Sequence, residues 1–138
     1  MPVHIRLLLT LSLAVMTLFV LRSGPAYAEW VAISGDDDGT TAYVDPATIR
    51  TKGDLVKMWT LYDSKTVETF PGGSFFSIKR QKEYDCAEER TRTLAEIHFS
   101  GNMGSGKVLS SNADERKWVP VAPGSVGEAL WQYACKKK

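Results

Sequence analysis

The stretch GNMGSGKV, residues 101–108, sets Gly101, four residues, Gly106 and then Lys107. That is the spacing of a phosphate-binding loop up to its last position. Such a loop cradles phosphate with backbone amides at a helix N-terminus, and it needs Ser or Thr after the lysine to hold magnesium. Here Val108 stands in that place, and VLSSNA continues with strand character and no helical stripe. The residues therefore predict a glycine-rich link between strands, with no nucleotide bound.

Three other groups of residues have types that could do chemistry. Counting a calcium loop from Ser34 puts Asp36, Asp38 and Gly39 at its third, fifth and sixth places and Asp45 at its last. Its first place is Ser rather than Asp and strands flank it, so a solvated turn containing Asp36, Asp37 and Asp38 is expected and no metal. His98 could serve a nucleophile as base, with Glu96 two residues away to orient it. No Gly-x-Ser-x-Gly elbow accompanies the pair, and His98 is expected at the surface on the polar face of a strand. Lys79, Arg80, Lys82, Arg90 and Arg92 crowd one long hairpin, alternating with Glu83, Asp85, Glu88 and Glu89. Cross-strand ion pairing accounts for them, and the same five residues mark this hairpin as a place for contact with a partner.

The elements that must position these residues follow from a period of two between Trp30 and Asn112. WVAIS (30–34) and TTAYVD (40–45) are short strands about GDDDG. Pro46 to Arg50 reads as one helical turn begun by Asp45, with proline first. Lys52-Gly-Asp54 turns the chain into LVKMWTLYD (55–63), which sets Val56, Met58, Thr60 and Tyr62 on one side. After a loop with Pro71-Gly-Gly73, SFFSIKRQKEYDC (74–86) and RTRTLAEIHFS (90–100) form a hairpin. Straight alternation puts Thr91, Thr93, Ala95, Ile97 and Phe99 on one face of the second arm, and Arg90, Arg92, Glu96 and His98 on the other. VLSS (108–111) is a last strand. One helix closes the chain: Ser125-Val-Gly-Glu128 is a capping box, and Ala129, Leu130, Tyr133 and Ala134 make its apolar stripe.

The first 28 residues have the three parts of a secretory signal: His4 and Arg6, an apolar run of 15 residues from Leu7 to Leu21, and small residues at Ala26 and Ala28. A membrane span needs roughly 20 apolar residues, so cleavage after Ala28 is expected, leaving one domain over 29–138. No cysteine stands at the cut for a lipid, and no membrane anchor is expected after cleavage. The remaining 110 residues hold 15 Lys and Arg against 16 Asp and Glu, a net charge of −1. That excludes a general affinity for nucleic acid, which requires a strongly basic balance. Two cysteines in an exported chain predict a disulfide between Cys86 and Cys135; a redox pair is usually Cys-x-x-Cys, and zinc needs more ligands than one histidine adds.

With these motifs in hand, the chain resembles the surface-adhesin protein E family. VDPATIR (44–50), KGDLVKMWTLYD (52–63), EYDCAEERTRTL (83–94), FSGNMGSGKV (99–108) and WVPVAPGSVGEALWQYAC (118–135) carry the resemblance. It implies an α+β fold, mainly an antiparallel β-sheet of about six strands, with one C-terminal helix packed on it and pinned by the Cys86–Cys135 disulfide. It implies no catalytic residues and no cofactor. The function expected is an exported, non-enzymatic binding or structural domain with a protein partner, in the periplasm of a Gram-negative bacterium or secreted. A homodimer through an edge strand or aromatic patch is compatible with this. The alternative is a small periplasmic ligand carrier or enzyme. A closed pocket holding His98, Glu96 and a hydroxyl would favour the enzyme, an open, largely apolar pocket the carrier, and a pocketless sheet with an exposed edge protein binding.

Overall fold

A computed structural model describes residues 29–35 and 38–136. The signal segment 1–28 and the aspartates Asp36 and Asp37 of the expected turn lie outside the described residues. Eight strands form one antiparallel sheet: β1 (Val31–Gly35), β2 (Thr40–Val44), β3 (Arg50–Lys52), β4 (Leu55–Phe70), β5 (Gly73–Asp85), β6 (Arg90–Phe99), β7 (Val108–Asn112) and β8 (Val119–Pro120). The main path runs β1-β2-β4-β5-β6-β7, with β3 beside β4 and β8 beside β6. The six expected strands are that path; the count is eight because two short pieces pair as well. β3 arises from the Gly53-Asp54 turn, which brings Lys52 opposite Leu55 as a two-residue hairpin. Gly53 supplies the positive φ of 59° that such a turn demands.

β4 outruns its expected end at Asp63 for a similar reason. Pro71-Gly72 is itself a tight turn, so Phe70 pairs with Gly73 and the flanking residues join the ladder. Between Asp63 and Glu68 the register with β5 slips, while the ladder with β2 continues past Thr40 and Ser64, the Lys65 amide donating to the Gly39 carbonyl at 3.2 Å. Asp45 begins a 3-10 turn over Pro46–Thr48, its carboxylate accepting from the Ala47 amide at 3.2 Å.

The helix α1 (Val126–Lys136) lies on one face of the sheet. Ser125 caps it, its hydroxyl accepting from the Glu128 amide at 3.1 Å. The return arm of the expected capping box lands one residue early, with Glu128 Oε1 accepting from the Gly124 amide at 3.4 Å. Leu130 and Ala134 enter a core made with Ala42, Val44, Val56, Met58 and Tyr84. Cys135 in the last turn of α1 is bonded to Cys86 just beyond β5, with Cα atoms 5.6 Å apart. Trp131 adds a hydrogen bond from Nε1 to the Asp85 carbonyl at 2.9 Å, so two neighbouring helix residues are tied to the same strand end.

Candidate functional site

Residues directly opposite in a ladder share a face, and the register decides which side chains meet. On the face that carries α1, Val56, Met58, Thr60 and Tyr62 of β4 stand opposite Tyr84, Lys82, Arg80 and Ile78 of β5. β5 in turn places Tyr84 opposite Thr91 and Lys82 opposite Thr93, but Arg80 opposite Glu96 and Ile78 opposite His98. The ladder slips between Gln81 and Lys82, where Leu94 is the extra residue. The bulge corrects the straight alternation: Thr91 and Thr93 share a face with Glu96 and His98, while Arg90 and Arg92 share the other with Ala95, Ile97 and Phe99.

The alternation of β5 divides the five cations of the hairpin, with Arg90 and Arg92 opposite Asp85 and Glu83. On the face away from α1, Arg90 and Arg92 flank Trp118, their guanidinium carbons 4.7 and 4.5 Å from its ring centre. Arg90 pairs with Asp85 at 3.0 Å, and Arg92 pairs with Glu83 at 2.6 Å and Glu115 at 2.9 Å. The Lys79 ammonium lies 5.1 Å from the Phe99 ring centre and 5.7 Å from that of Trp30. Asp85 also accepts from the Ala87 and Glu88 amides, both at 3.1 Å. Burial opposes its charge, but the Glu88 amide and then Arg90 and the Ala87 amide outweigh it and hold the carboxyl below the usual range.

Arg80 and Lys82 are brought together instead with Glu96, His98 and Arg116, past the end of the helix-covered core. Arg80 Nε donates to Glu96 Oε2 at 2.6 Å and its guanidinium lies 5.0 Å from the Tyr62 ring centre. Arg116 approaches the other oxygen of Glu96 at 4.0 Å. Burial opposes the Glu96 charge, yet the hydrogen bond and charge of Arg80, with Arg116 beyond, hold its carboxyl below the usual range. The Lys82 ammonium donates to Thr93 Oγ1 at 3.1 Å. Burial first, then the neighbouring charge of Arg80, lowers its pKa to about 8, against the pull of Glu96. Arg116 carried no signal in the sequence. It joins the cluster because its amide bonds the Thr93 carbonyl at 2.9 Å and so lays the segment after β7 along β6.

His98 is buried, only 6% exposed, and not at the surface as alternation implied. Phe70 stacks on its ring at 4.1 Å and Phe75 meets it edge-on at 4.9 Å. Its Nε2 is 3.7 Å from Glu96, and its buried Nδ1 has no hydrogen-bond partner among the described residues. Burial disfavours the imidazolium more than Glu96 favours it, and Arg80 adds to the burial, so the pKa is lowered. A base poised against a hydroxyl is not the arrangement found. The lowered pKa has a consequence for stability. Between the ordinary histidine value near 6.5 and the lower folded value, the unfolded chain binds the proton and the folded chain does not. Stability contributed by neutral His98 is present above that window and is lost as pH falls through it. His98→Phe, which keeps the stack and cannot titrate, is expected to flatten the fall in urea midpoint as pH drops below about 6.5. An unchanged slope in the variant would assign the fall to other groups.

Five backbone amides of the glycine-rich loop are occupied. A short 3-10 turn at Asn102–Gly104 folds against β4 and β5. Asp63 Oδ1 accepts from the Met103 amide at 2.7 Å and from Asn102 Nδ2 at 3.1 Å. Ser77 Oγ accepts from the Gly104 amide at 2.9 Å and donates to the Gly101 carbonyl at 2.6 Å. The Gly101, Ser105 and Lys107 amides are spent within the loop. Gly104 has a φ of 72°, and a Cβ there would press on the Lys79 side chain. What looked like a phosphate cradle is a strap across the sheet.

Beyond the ionic cluster, Asp38, Tyr62, Ser64, Glu68, Phe75 and Arg80 border an open depression of about 270 Å3. β1 pairs only with β2 and, along the main path, β7 only with β6. Each therefore leaves one ladder edge unpaired with another strand among the described residues. Val108 is 58% exposed at the β7 edge.

Three solved structures of Haemophilus influenzae protein E share this architecture. One matches with a TM-score of 0.60 over 81% of this chain and 87% of that one. A second crystal form gives 0.62, with 81% and 91% covered. The protein from a non-typeable strain gives 0.55, with 81% and 78% covered. Identity is 12% in each case, so the likeness is one of fold. No curated protein matches the chain by sequence. The profile of the family described as surface-adhesin protein E matches residues 30–136, from Trp30 through the helix that carries Cys135, and the chain belongs to that family.

Proposed function

We propose that this chain is an exported, non-enzymatic module that holds a protein partner against its sheet. The observation that carries the reading is the incomplete cover of that sheet. α1 packs over Val56, Met58 and Tyr84, whereas Arg80 and Lys82 continue the same face beyond the helix-covered core and are only partly buried. Free outer edges at β1 and β7 offer a second means of contact, since an unpaired strand can accept an extended segment. An open, largely apolar pocket would support a small-ligand carrier; the depression beside Arg80 is open but bordered by the charged Asp38, Glu68 and Arg80, which supports a binding surface. His98 without a hydroxyl partner supports a role other than catalysis.

Membership of a surface-adhesin family and the Cys86–Cys135 bridge both support export. Cleavage after Ala28 would release the domain into the periplasm or the medium, free of a membrane anchor, and sequencing of the mature N-terminus should begin at Glu29. The partner is tested by crosslinking the tagged protein in intact cells of its own organism, followed by fractionation and mass spectrometry. One reproducible protein partner is the expected outcome. A soluble periplasmic protein crosslinked to nothing would remove the reading.

A further inference from the structure

We infer that Arg80, Lys82 and Arg116 seat an acidic segment of the protein partner, an assignment that rests on the protein-binding reading and names the chemistry it requires. Three cations gather here about one carboxylate. Glu96 is shared between Arg80 at 2.6 Å and Arg116 at 4.0 Å, which leaves the cluster with excess positive charge. Lys82 has no carboxylate within ion-pair distance among the described residues, and its hydrogen bond goes to a neutral hydroxyl, Thr93 Oγ1. On the opposite face Arg90 has Asp85, Arg92 has Glu83 and Glu115, and Lys57 approaches Glu83 at 3.8 Å, while the Lys79 ammonium rests near the Phe99 and Trp30 rings. The imbalance is local, since the chain beyond residue 28 is close to neutral.

A half-buried ammonium beside guanidinium groups is an arrangement that an anion would relieve. Without one, Lys82 titrates at about 8, so part of its charge is already lost in mildly alkaline solution. Burial is the largest cause of this value, and the charged groups that also set it are Arg80 on its own strand, Glu96 on β6 and Arg116 from the segment after β7. An incoming carboxylate would make charge-assisted hydrogen bonds with Lys82 and Arg116. It would also draw the Lys82 pKa back toward the ordinary lysine value. The cluster sits on an open face next to the Tyr62 ring and the depression beside it. No wall encloses a small ion there, whereas an extended segment could lie along the face with several carboxylates in reach. A sulfated or nucleic polyanion wants a longer run of basic residues than these three.

The test uses a fluorescein-labelled hexaglutamate peptide, with hexaglutamine as control, read by anisotropy at low salt on the intact domain. The Lys82 pKa is followed by NMR at its side-chain carbon next to the ammonium. Hexaglutamate is expected to bind and hexaglutamine not, with the Lys82 pKa rising from about 8 on saturation. Lys82→Met should weaken binding about tenfold, the worth of one charge-assisted hydrogen bond. Arg90→Gln, on the other face, should leave it unchanged. Equal binding by wild type and Lys82→Met, or a Lys82 pKa that hexaglutamate does not move, would overturn the assignment. So would inorganic sulfate or heparin fragments reproducing the shift while hexaglutamate is silent. In-cell crosslinking separates the two proposals. A partner captured equally by wild type and by Lys82→Met keeps the protein-binding reading and removes this seat. Hexaglutamate bound through Lys82 with no cellular partner keeps the site's chemistry and removes the reading.

Discussion

Replacing Cys86 and Cys135 together by alanine is expected to remove about 4 kcal/mol of stability and to lower the midpoint of thermal unfolding by roughly 15–25 °C. The bridge closes a loop spanning 49 positions, and by chain entropy a loop of that length lies between the values for short and very long ones. A domain of about 110 residues buries a modest core, so the loss is a large fraction of its net stability. The bridge also acts at one place in the fold. Cys86 is fixed by its amide, which donates to the Asp54 carbonyl at 2.9 Å, and Cys135 rides on α1 one turn beyond Trp131. Without the bridge, α1 is held by Leu130, Ala134 and the Trp131 bond to Asp85. Thermal unfolding of the oxidised wild type, the reduced wild type and the double variant measures the effect. A loss below about 1 kcal/mol would mean that the unfolded chain is already compact across this loop.

The parts of this fold that were legible in the sequence are those decided within one segment. Period two marked β1, β2, β4, β5, β6 and β7, and Gly53-Asp54 marked a turn, while Pro71-Gly-Gly73 marked only a loop. Ser125 with Glu128 marked where the helix begins. What was not legible depends on pairing between segments. Leu94 is an unremarkable residue in an alternating strand, and only the ladder with β5 makes it a bulge. That one extra residue moves Glu96 and His98 to the face of Arg80 and Lys82, and so builds the ionic cluster. The five cations fall into two groups by the alternation of β5 instead, which sets Lys79 with Glu83 and Asp85 and turns Arg80 and Lys82 the other way. Phe70 stacks on His98 because the β4–β5 turn is tight, and a loop over the same residues would have left the histidine open. Arg116 lies in a segment without periodicity, so nothing in its neighbourhood announced a place beside Glu96.

Leu130→Ala is expected to cost about 3 kcal/mol, within the range for emptying a fully buried leucine site. Leu130 is 0% exposed, and the residues around it, Val44, Val56, Met58 and Tyr84, are also fully buried. Strand residues held by ladders on both sides cannot collapse far into the space. Leu130→Met, which keeps most of the volume, should cost less than about 1.5 kcal/mol. Urea unfolding of the two variants separates the roles of volume and of helix propensity, because both replacements are good helix formers. If alanine costs no more than methionine, α1 is held by its bridge and not by its packing. In the background lacking Cys86 and Cys135, the Leu130→Ala effect should differ from its value in wild type, since both changes loosen the same helix and their energies are coupled. The Lys82 pKa tests how far that loosening travels. Lys82 stands next along β5 from Tyr84 on the same face but draws its neighbours from β6 and the segment after β7. It should keep its value of about 8 in Leu130→Ala if the helix-covered core and the ionic cluster are separate regions of one sheet. A shift toward the ordinary lysine value would show that α1 keeps water from the cluster, and would make the helix part of the binding face.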